Sequence, residues 1–310
     1  MYDVIIIGGG PAGITAAIYA ARKYLKTLLV TKDFEGQIFN SSKVENYPGF
    51  QEISGAELSY ALKDHLFKFA QKEKNSKLKI KEGETVNKVL RKGKFFEVKT
   101  ENKKSFISKT IIIATGASPR KLEVPGAREF EGKGISFCET CDGFFFKDKN
   151  VAVLGSGNAG LEAAEELLNY TKNLYIVEAK DEIAGDKLLF EKVRKEGARI
   201  IFNAQIKEIK GKDFVEKIVF FDKKQKKEKE IEVDGIFVKI GQKPNTDFLK
   251  GFLRLNKKGE IIVNPVTLET SQKGVFAAGD VTDLPFKQYI ISAGEGAKAL
   301  ISLYNYLKSL

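Results

Sequence analysis

Cysteine, histidine, tryptophan and long apolar runs are scarce or missing in this 310-residue chain. It has two cysteines, one histidine and no tryptophan. Both cysteines lie in Cys138-Glu139-Thr140-Cys141, which is too few for the disulfide framework of a small secreted domain. The same count excludes a zinc site of four cysteines, and we expect no metal site. The longest apolar runs, residues 4–7 and 110–114, are far shorter than the ~20 residues of a membrane helix.

The first residues also lack a targeting signal. Met1-Tyr2-Asp3 leads directly into a β-branched run, with no basic segment followed by an apolar one. We therefore expect no signal peptide and a cytoplasmic location. In a reducing compartment, an isolated Cys-x-x-Cys segment indicates a redox-active pair and not a structural disulfide.

Charge is abundant and unbalanced. The net charge is +11, and the densest basic run is Lys223-Lys224-Gln225-Lys226-Lys227. This run has no interleaved aromatic residues and separates two strand-like segments, residues 215–221 and 230–233, so the sequence predicts a solvated hairpin tip. We therefore expect neither nucleic acid nor a membrane as a partner.

Two segments of the chain share one plan of strand, glycine-rich turn, helix and strand. The first places the turn Gly8-Gly9-Gly10-Pro11-Ala12-Gly13 between a strand at 2–7 and a helix at 14–24, with a second strand at 27–30. In such a turn the first glycine permits the tight bend, the second lets a pyrophosphate approach, and the third allows close helix–strand packing. The residues predicted to bind the first nucleotide are Gly8, Gly10, Pro11, Ala12 and Gly13.

The second copy places Gly155-Ser156-Gly157-Asn158-Ala159-Gly160 between a strand at 151–154 and a helix at 161–170, followed by a strand at 174–177. One such motif is weak evidence, but two in the same context indicate two dinucleotide sites. The residues predicted to bind the second nucleotide are Gly155, Gly157, Asn158, Ala159 and Gly160, together with Gly241.

An acidic residue follows the second strand of the second copy. Glu178 lies 23 positions after Gly155, where a carboxylate accepts hydrogen bonds from the adenosine ribose and repels a 2′-phosphate. This favours NADH over NADPH, although Lys180 leaves a contact to a phosphate open.

The order of the segments predicts an α/β fold with two Rossmann-like, three-layer ββα dinucleotide-binding domains, the second inserted into the first. The first domain comprises residues 1–117 and 247–310, with a final helix at 292–308, and the second comprises residues 118–246. The chain crosses between them near 116–119 and 241–245, where glycine and proline permit hinges. At the end of another strand, Asp280 is predicted to bind a ribityl hydroxyl, to cap the following helix, or to do both.

These motifs resemble the low-molecular-weight thioredoxin reductases along nearly the whole chain. The segments that carry the resemblance are Gly8–Gly13, Val44-Glu45-Asn46-Tyr47-Pro48-Gly49, Ala114-Thr115-Gly116-Ala117, Cys138-Glu139-Thr140-Cys141-Asp142-Gly143, Gly155–Gly160 and Gly279-Asp280-Val281. The resemblance implies FAD in the first domain, a nicotinamide coenzyme in the second, rotation of the second domain, and a homodimer.

The resemblance also implies roles for individual residues. Cys141 is the cysteine beside the flavin, Cys138 attacks the disulfide of the partner, and Asp142 acts as acid and base. The residues that it places near FAD are Gln37, Asn46, Val86, Thr115, Gly116, Asp280, Lys287, Gln288 and Tyr289. The neighbouring run Phe144-Phe145-Phe146 is either core or, with Lys133, a docking patch for the partner.

Some segments are more similar to a sister group, the flavoprotein subunit of alkyl hydroperoxide reductase. They are Pro285-Phe286-Lys287-Gln288, Gly294-Glu295-Gly296-Ala297-Lys298 and Glu178. That group is NADH-linked and carries an extra amino-terminal thioredoxin-like module, which we do not expect in this protein. We therefore expect a flavoenzyme that passes electrons from NADH, or NADPH, to a separate thioredoxin-like or glutaredoxin-like protein.

Three other functions stay open from the sequence. One is an NADH-dependent reductase of a glutaredoxin-like or peroxiredoxin-linked protein. Another is a flavin-dependent dithiol oxidase that uses no nicotinamide, although the intact turn at 155–160 argues against it. The third is a flavin-bound electron carrier or sensor without turnover.

Overall fold

The computed structural model describes residues 1–39, 44, 46–71 and 76–310, without the side chains of Gln71, Thr140 and Cys141. The described chain divides into two compact units. Unit 1 comprises Met1–Ser118 and Lys243–Leu310, and unit 2 comprises Pro119–Gln242.

Helices and strands alternate in parts of the chain, and several strands follow one another elsewhere. The helices are α1 (Pro11–Arg22), α2 (Gly55–Gln71), α3 (Glu139–Asp142), α4 (Asn158–Leu168), α5 (Lys187–Lys195) and α6 (Tyr289–Lys308), with 3₁₀ turns at Gly143–Phe146 and Asp247–Leu249. The strands of unit 1 before the first crossing are β1 (Tyr2–Ile7), β2 (Thr27–Val30), β3 (Leu78–Lys81), β4 (Val86–Lys92), β5 (Phe95–Thr100) and β6 (Ser105–Ile113), and β7 (Ala117–Pro119) lies at the crossing itself. The strands that follow are β8 (Ile135–Ser136), β9 (Asn150–Leu154), β10 (Asn173–Val177), β11 (Arg199–Ile201), β12 (Ala204–Gly211), β13 (Val215–Asp222), β14 (Lys227–Glu232), β15 (Gly235–Val238), β16 (Gln242–Pro244) and β17 (Val275–Ala277).

Unit 1 is built on a sheet with the strand order β3-β2-β1-β6-β5-β4, and β17 also pairs with β6. The pairs β1–β2, β1–β6 and β6–β17 are parallel, whereas β4, β5 and β6 are antiparallel. The carboxyl-terminal part of β1 is buried, as its continuous β-branched run predicts for a central parallel strand. The carboxyl ends of β1, β6 and β17 therefore lie side by side, and ligands of open α/β sheets bind at such an edge.

Unit 2 repeats this arrangement with a parallel sheet in the order β11-β10-β9-β15-β8. A separate antiparallel sheet contains β12, β13 and β14. The turn between β13 and β14 holds residues 223–226 of the basic run, and Lys227 begins β14, which confirms the predicted hairpin. The predicted α/β class with two Rossmann-like units is confirmed as well.

Helix starts differ from the sequence expectation. Helix α4 begins at Asn158 and not at 161, and α6 begins at Tyr289 and not at 292. In α4 the extended residue Gly157 is the N-cap, so the last residues of the glycine turn already form the first helical turn. Within the described residues, no helix combines the length and the apolar character that crossing a membrane requires.

Candidate functional site

The first glycine turn is shaped by two close contacts and one open space. Gly8 has φ +117°, and a Cβ on it would lie 2.1 Å from the carbonyl oxygen of Ala114. A Cβ on Gly13 would lie 1.9 Å from the carbonyl oxygen of Gly8. A Cβ on Gly10 would meet no atom within 4 Å. The packing reasons predicted for Gly8 and Gly13 are thus confirmed, and space for a ligand lies at Gly10.

The second turn reproduces this geometry in unit 2. Gly155 has φ +104°, and its Cβ would lie 2.4 Å from the carbonyl oxygen of Lys239. The Cβ of Gly160 would lie 2.1 Å from the carbonyl oxygen of Gly155, and Gly157 again borders open space. The N-caps of α1 and α4 are Gly10 and Gly157, which have no side chain to cap the first N–H groups of these helices, so an anion can bind there. Both turns fit the pyrophosphate of a dinucleotide.

Glu178 is tied to the second turn by hydrogen bonds. Its Oε2 accepts from the backbone N–H of Ser156 at 3.0 Å and from Ser156 Oγ at 2.6 Å. Its Oε1 accepts from the backbone N–H of Lys180 at 3.0 Å. Burial alone would raise the pKa of the Glu178 carboxyl, but these hydrogen bonds outweigh burial, and the pKa is lowered. The carboxylate is therefore held ionised beside the second turn, where its negative charge would repel a 2′-phosphate.

Ser156 is the second residue of the turn, and it was not predicted from the sequence as a site residue. Its side chain is fully buried, and its Oγ also accepts a hydrogen bond from the backbone N–H of Ala184 at 3.1 Å. One hydroxyl thus connects the turn, the end of β10 and the segment that leads to α5.

Replacing Ser156 with alanine is expected to lower the free energy of unfolding by about 1–3 kcal/mol, because a buried carboxylate loses a donor. The deficit is expected to be largest near neutral pH. A lowered pKa contributes stability above the unfolded pKa of ~4.3 and loses it as the pH falls through the folded pKa. Urea unfolding at neutral and acidic pH measures both effects.

The exposed Ser105, which donates to Glu97 at 2.8 Å, provides a matched control. Its alanine variant is expected to change stability by less than about 0.5 kcal/mol. A Ser156→Ala deficit that does not shrink on acidification would contradict the role assigned to Glu178.

Residues predicted to bind FAD meet in unit 1 although they are far apart in sequence. Gln37 Nε2 donates to Asp280 Oδ2 at 3.2 Å, and Asn46 Nδ2 donates to Gln288 Oε1 at 3.4 Å. Burial raises the pKa of Asp280, although hydrogen bonds from Ser292 and Gln37 and the charge of Lys287 oppose this. The reading of Asp280 as a helix cap is wrong, because Gln288 is the N-cap of α6.

The remaining residues of that prediction have varied surroundings. Tyr289 packs edge-on against Tyr47 with ring centroids 6.0 Å apart, and burial raises its pKa. The ammonium group of Lys287 contacts the carbonyl oxygen of Thr282. The side chain of Val86 belongs to the hydrophobic core of unit 1. A role for Tyr289, Lys287 and Val86 at a cofactor stays a prediction.

Thr115 and Gly116 contact residues of the second chain crossing. The crossing was predicted from the sequence, but these contacts were not. Thr115 Oγ1 donates to the carbonyl oxygen of Asn245 at 2.9 Å, and Asn245 Nδ2 donates back to the carbonyl oxygen of Thr115 at 2.9 Å. The backbone N–H of Asn245 donates to the carbonyl oxygen of Gly116 at 3.0 Å. Nearby, β7 pairs with β16, and Gly241 has φ +96°. Asn245 therefore links the two chain crossings by hydrogen bonds.

The cysteine segment is organised by a second serine. Ser136 Oγ donates to Asp142 Oδ2 at 2.6 Å and accepts from the backbone N–H of Cys138 at 3.0 Å. Cys138 is half-buried and disulfide-bonded, whereas the side chain of Cys141 lies outside the described residues. The Asp142 carboxylate and the backbone N–H of Cys138 thus both form hydrogen bonds with the Ser136 hydroxyl group. Ser136 is a site residue that was not predicted from the sequence.

The phenylalanine run after the cysteines divides between two environments. Phe146 is buried and packs edge-on against Phe237, with ring centroids 5.4 Å apart. Phe144 and Phe145 are 70% and 71% exposed. The core reading therefore holds for Phe146, while its two neighbours form an apolar surface next to α3.

Comparison with known proteins gives a consistent result. The family described as "Pyridine nucleotide-disulphide oxidoreductase" matches residues 2–297. The F subunit of alkyl hydroperoxide reductase from Pseudomonas aeruginosa is 40% identical over 308 residues, which is 99% of this chain and 58% of the relative. A protein named NADH dehydrogenase from Bacillus subtilis is 39% identical over 307 residues, with coverages of 99% and 58%. The chain thus spans less than two thirds of the length of these relatives.

Two solved structures are similar over the full chain. The thioredoxin reductase of Lactococcus lactis, crystallised in the FR conformation, has a TM-score of 0.91 and 34% identity and covers 100% of both chains. The thioredoxin reductase of T. acidophilum has a TM-score of 0.88 and 37% identity, with coverages of 99% and 98%.

Proposed function

The chain belongs to the pyridine nucleotide-disulphide oxidoreductase family, and from this premise we propose that it is a thioredoxin reductase-like flavoenzyme. In this proposal it passes electrons from NADH, or less effectively NADPH, by way of FAD and the pair Cys138 and Cys141 to the disulfide of a thioredoxin-fold protein. The observation that carries the proposal is the disulfide-bonded Cys138, which shares Ser136 with Asp142 in the unit that holds the second glycine turn.

The two glycine turns are assigned to different cofactors. The turn at Gly8–Gly13 would hold FAD, together with the contact pairs Gln37–Asp280 and Asn46–Gln288. The turn at Gly155–Gly160 would hold the nicotinamide coenzyme, with Glu178 at its adenosine ribose. When bound, the two cofactors supply the hydride and two-electron chemistry that amino-acid side chains lack. The protein contributes two helix N-termini with glycine at the N-cap, and open space at the second glycine of each turn.

The dithiol performs the exchange with the protein substrate. Cys138, as thiolate, attacks one sulfur of the partner disulfide and forms a mixed disulfide. Cys141 then attacks the Cys138 sulfur and releases the reduced partner. Asp142 donates a proton to the departing thiolate, and the short hydrogen bond from Ser136 orients that carboxyl group.

The partner is proposed to dock on the apolar surface of Phe144 and Phe145. Exposed aromatic side chains next to a redox-active cysteine give a thioredoxin-fold protein an apolar contact at the point of exchange. A second candidate partner is a glutaredoxin-like or peroxiredoxin-linked protein. Similarity to the F subunit of alkyl hydroperoxide reductase favours it. We further propose a cytoplasmic homodimer.

Glu178 is expected to make NADH the better coenzyme, since its ionised carboxylate repels a 2′-phosphate. In a Glu178→Gln variant, the ratio of kcat/KM for NADPH to that for NADH is expected to rise at least about tenfold, or ~1.4 kcal/mol. Steady-state rates with both coenzymes measure this ratio. The variant Glu191→Gln, at a side chain of α5 that is 45% exposed, is the control and should leave the ratio unchanged. Equal rates of the unaltered protein with NADH and NADPH would refute the role of Glu178.

The function itself is tested with a panel of oxidised thioredoxin, glutaredoxin and peroxiredoxin-linked proteins. Coenzyme oxidation is expected to be continuous with at least one of them and to cease when its disulfide is consumed. A protein that takes up electrons once and never turns over with any of them would instead be a sensor or carrier.

A further inference from the structure

The side chain of Lys239, near the carboxyl-terminal end of unit 2, contacts the cysteine segment. Lys239 directly follows β15, and its carbonyl oxygen packs against Gly155 of the second turn. Its Nζ donates a hydrogen bond to the carbonyl oxygen of Phe137 at 3.0 Å and forms an ion pair with the Glu139 carboxylate. The side chains of Lys239 and Glu139 are only 15% and 17% exposed, so solvent screens this pair less than a surface pair.

The two groups that Lys239 contacts flank Cys138 in the chain. Phe137 precedes the cysteine, and Glu139 follows it. The backbone N–H of Cys138 is held separately by Ser136. One ammonium group therefore holds the chain on both sides of this cysteine, and its counter-ion lies between the two cysteines in sequence.

The charge of the Lys239 ammonium group also affects the pKa of a second carboxyl group, that of Glu162. Glu162 lies on α4 with much of its side chain exposed. Partial desolvation raises its pKa, the negative charge of Glu139 raises it further, and the positive charge of Lys239 opposes the shift. Lys239 is thus a cation that opposes the effect of the negative charge of Glu139 on Glu162.

We propose that the Lys239–Glu139 ion pair sets the reduction potential of the Cys138–Cys141 disulfide. The proposal rests on the proposed function for the role of this disulfide. Reduction adds two electrons and breaks the S–S bond. The two sulfurs become a thiol and a thiolate, or two thiols, with the protons taken from solvent. A nearby cation stabilises a thiolate and hence the reduced form, whereas a nearby carboxylate stabilises the oxidised form. The ion pair cancels these effects and keeps the dithiol reducing enough to act on a partner.

Removing one charge at a time is expected to shift the potential in opposite directions. Glu139→Gln leaves the ammonium group unbalanced and shifts the equilibrium toward the dithiol by roughly tenfold, or about 30 mV for a two-electron couple. Lys239→Gln leaves the carboxylate unbalanced and shifts it toward the disulfide by a similar factor. The double variant, and Lys239→Arg, which keeps the charge, are expected to remain within about twofold of the unaltered protein.

The experiment equilibrates the purified protein, with the cofactor it carries, in buffers of defined reduced and oxidised dithiothreitol, without oxygen or nicotinamide. Alkylation of free thiols followed by peptide mass spectrometry gives the reduced fraction of Cys138 and Cys141. Glu230→Gln is the matched control, because Glu230 pairs with Lys217 at 3.0 Å on the exposed β13–β14 hairpin. It should not change the equilibrium.

A merely structural role predicts another pattern. If both single variants shift the equilibrium in the same direction, or neither shifts it more than twofold, the proposal is overturned. The double and Lys239→Arg variants preserve the test if a single variant fails to fold, since a shift beyond twofold in either one also overturns it. No coenzyme or protein partner enters the measurement, so opposite shifts would stand even if no partner were ever reduced.

Discussion

Replacing Cys141 with serine is expected to reduce the rate of protein disulfide reduction to below about one thousandth, while the flavin remains bound and is still reduced by NADH. The physical reason is that the dithiol is the only carrier between the cofactor and the substrate in the proposed relay. With one cysteine replaced, the protein cannot form the internal disulfide that would accept two electrons from the flavin. The measurement compares flavin bleaching with steady-state reduction of the best protein acceptor.

The serine variants of the two cysteines are expected to differ in whether they form a mixed disulfide with the partner. In the Cys141→Ser variant, Cys138 still attacks the partner disulfide but no second thiol resolves the product, so a stable mixed disulfide accumulates. The Cys138→Ser variant loses turnover equally and forms no such adduct. Non-reducing electrophoresis separates the two outcomes. An adduct in Cys138→Ser alone would reverse the assigned roles, and turnover in either variant would contradict the relay.

Placing valine at the second glycine of each turn is expected to remove one cofactor at a time. Gly10 and Gly157 both have extended backbone angles and open space around a Cβ, so valine fits the backbone but fills the place of a pyrophosphate. Gly10→Val is expected to weaken FAD binding at least about 100-fold, or ~2.7 kcal/mol. Gly157→Val is expected to keep the flavin and weaken the coenzyme to the same extent.

Each variant is the control for the other. Flavin content is read from the visible absorption of the purified protein, and coenzyme affinity from the NADH dependence of flavin reduction. A Gly157→Val variant without flavin, or a yellow Gly10→Val variant, would contradict the assignment of one cofactor to each turn.

The sequence specified much of the fold because local patterns and packing agree in the two glycine turns. Gly8 and Gly13 must be glycine, because a side chain would meet carbonyl oxygens about 2 Å away. Such constraints are visible in a single sequence. The β13–β14 hairpin was predicted on the same basis, from two strand-like segments and a charged turn between them.

The parts that escaped prediction depend on contacts between residues that are distant in sequence. Ser156, Ser136 and Asn245 act through single hydroxyl or amide groups, whose partners are fixed only once the sheets have formed. Their residue types are common in turns, so no sequence pattern distinguishes them. Glu178 was found by spacing, but its attachment to Ser156 required the folded turn.

An anaerobic titration of the yellow protein with NADH, followed by addition of an oxidised thioredoxin-fold protein, tests the proposed electron relay from coenzyme to flavin to disulfide. We expect NADH to bleach the flavin absorption, and we expect the acceptor to restore the colour while its disulfide is reduced in an amount equal to the NADH consumed. A colourless protein, or a flavin that NADH bleaches but no disulfide substrate reoxidises, would contradict the account.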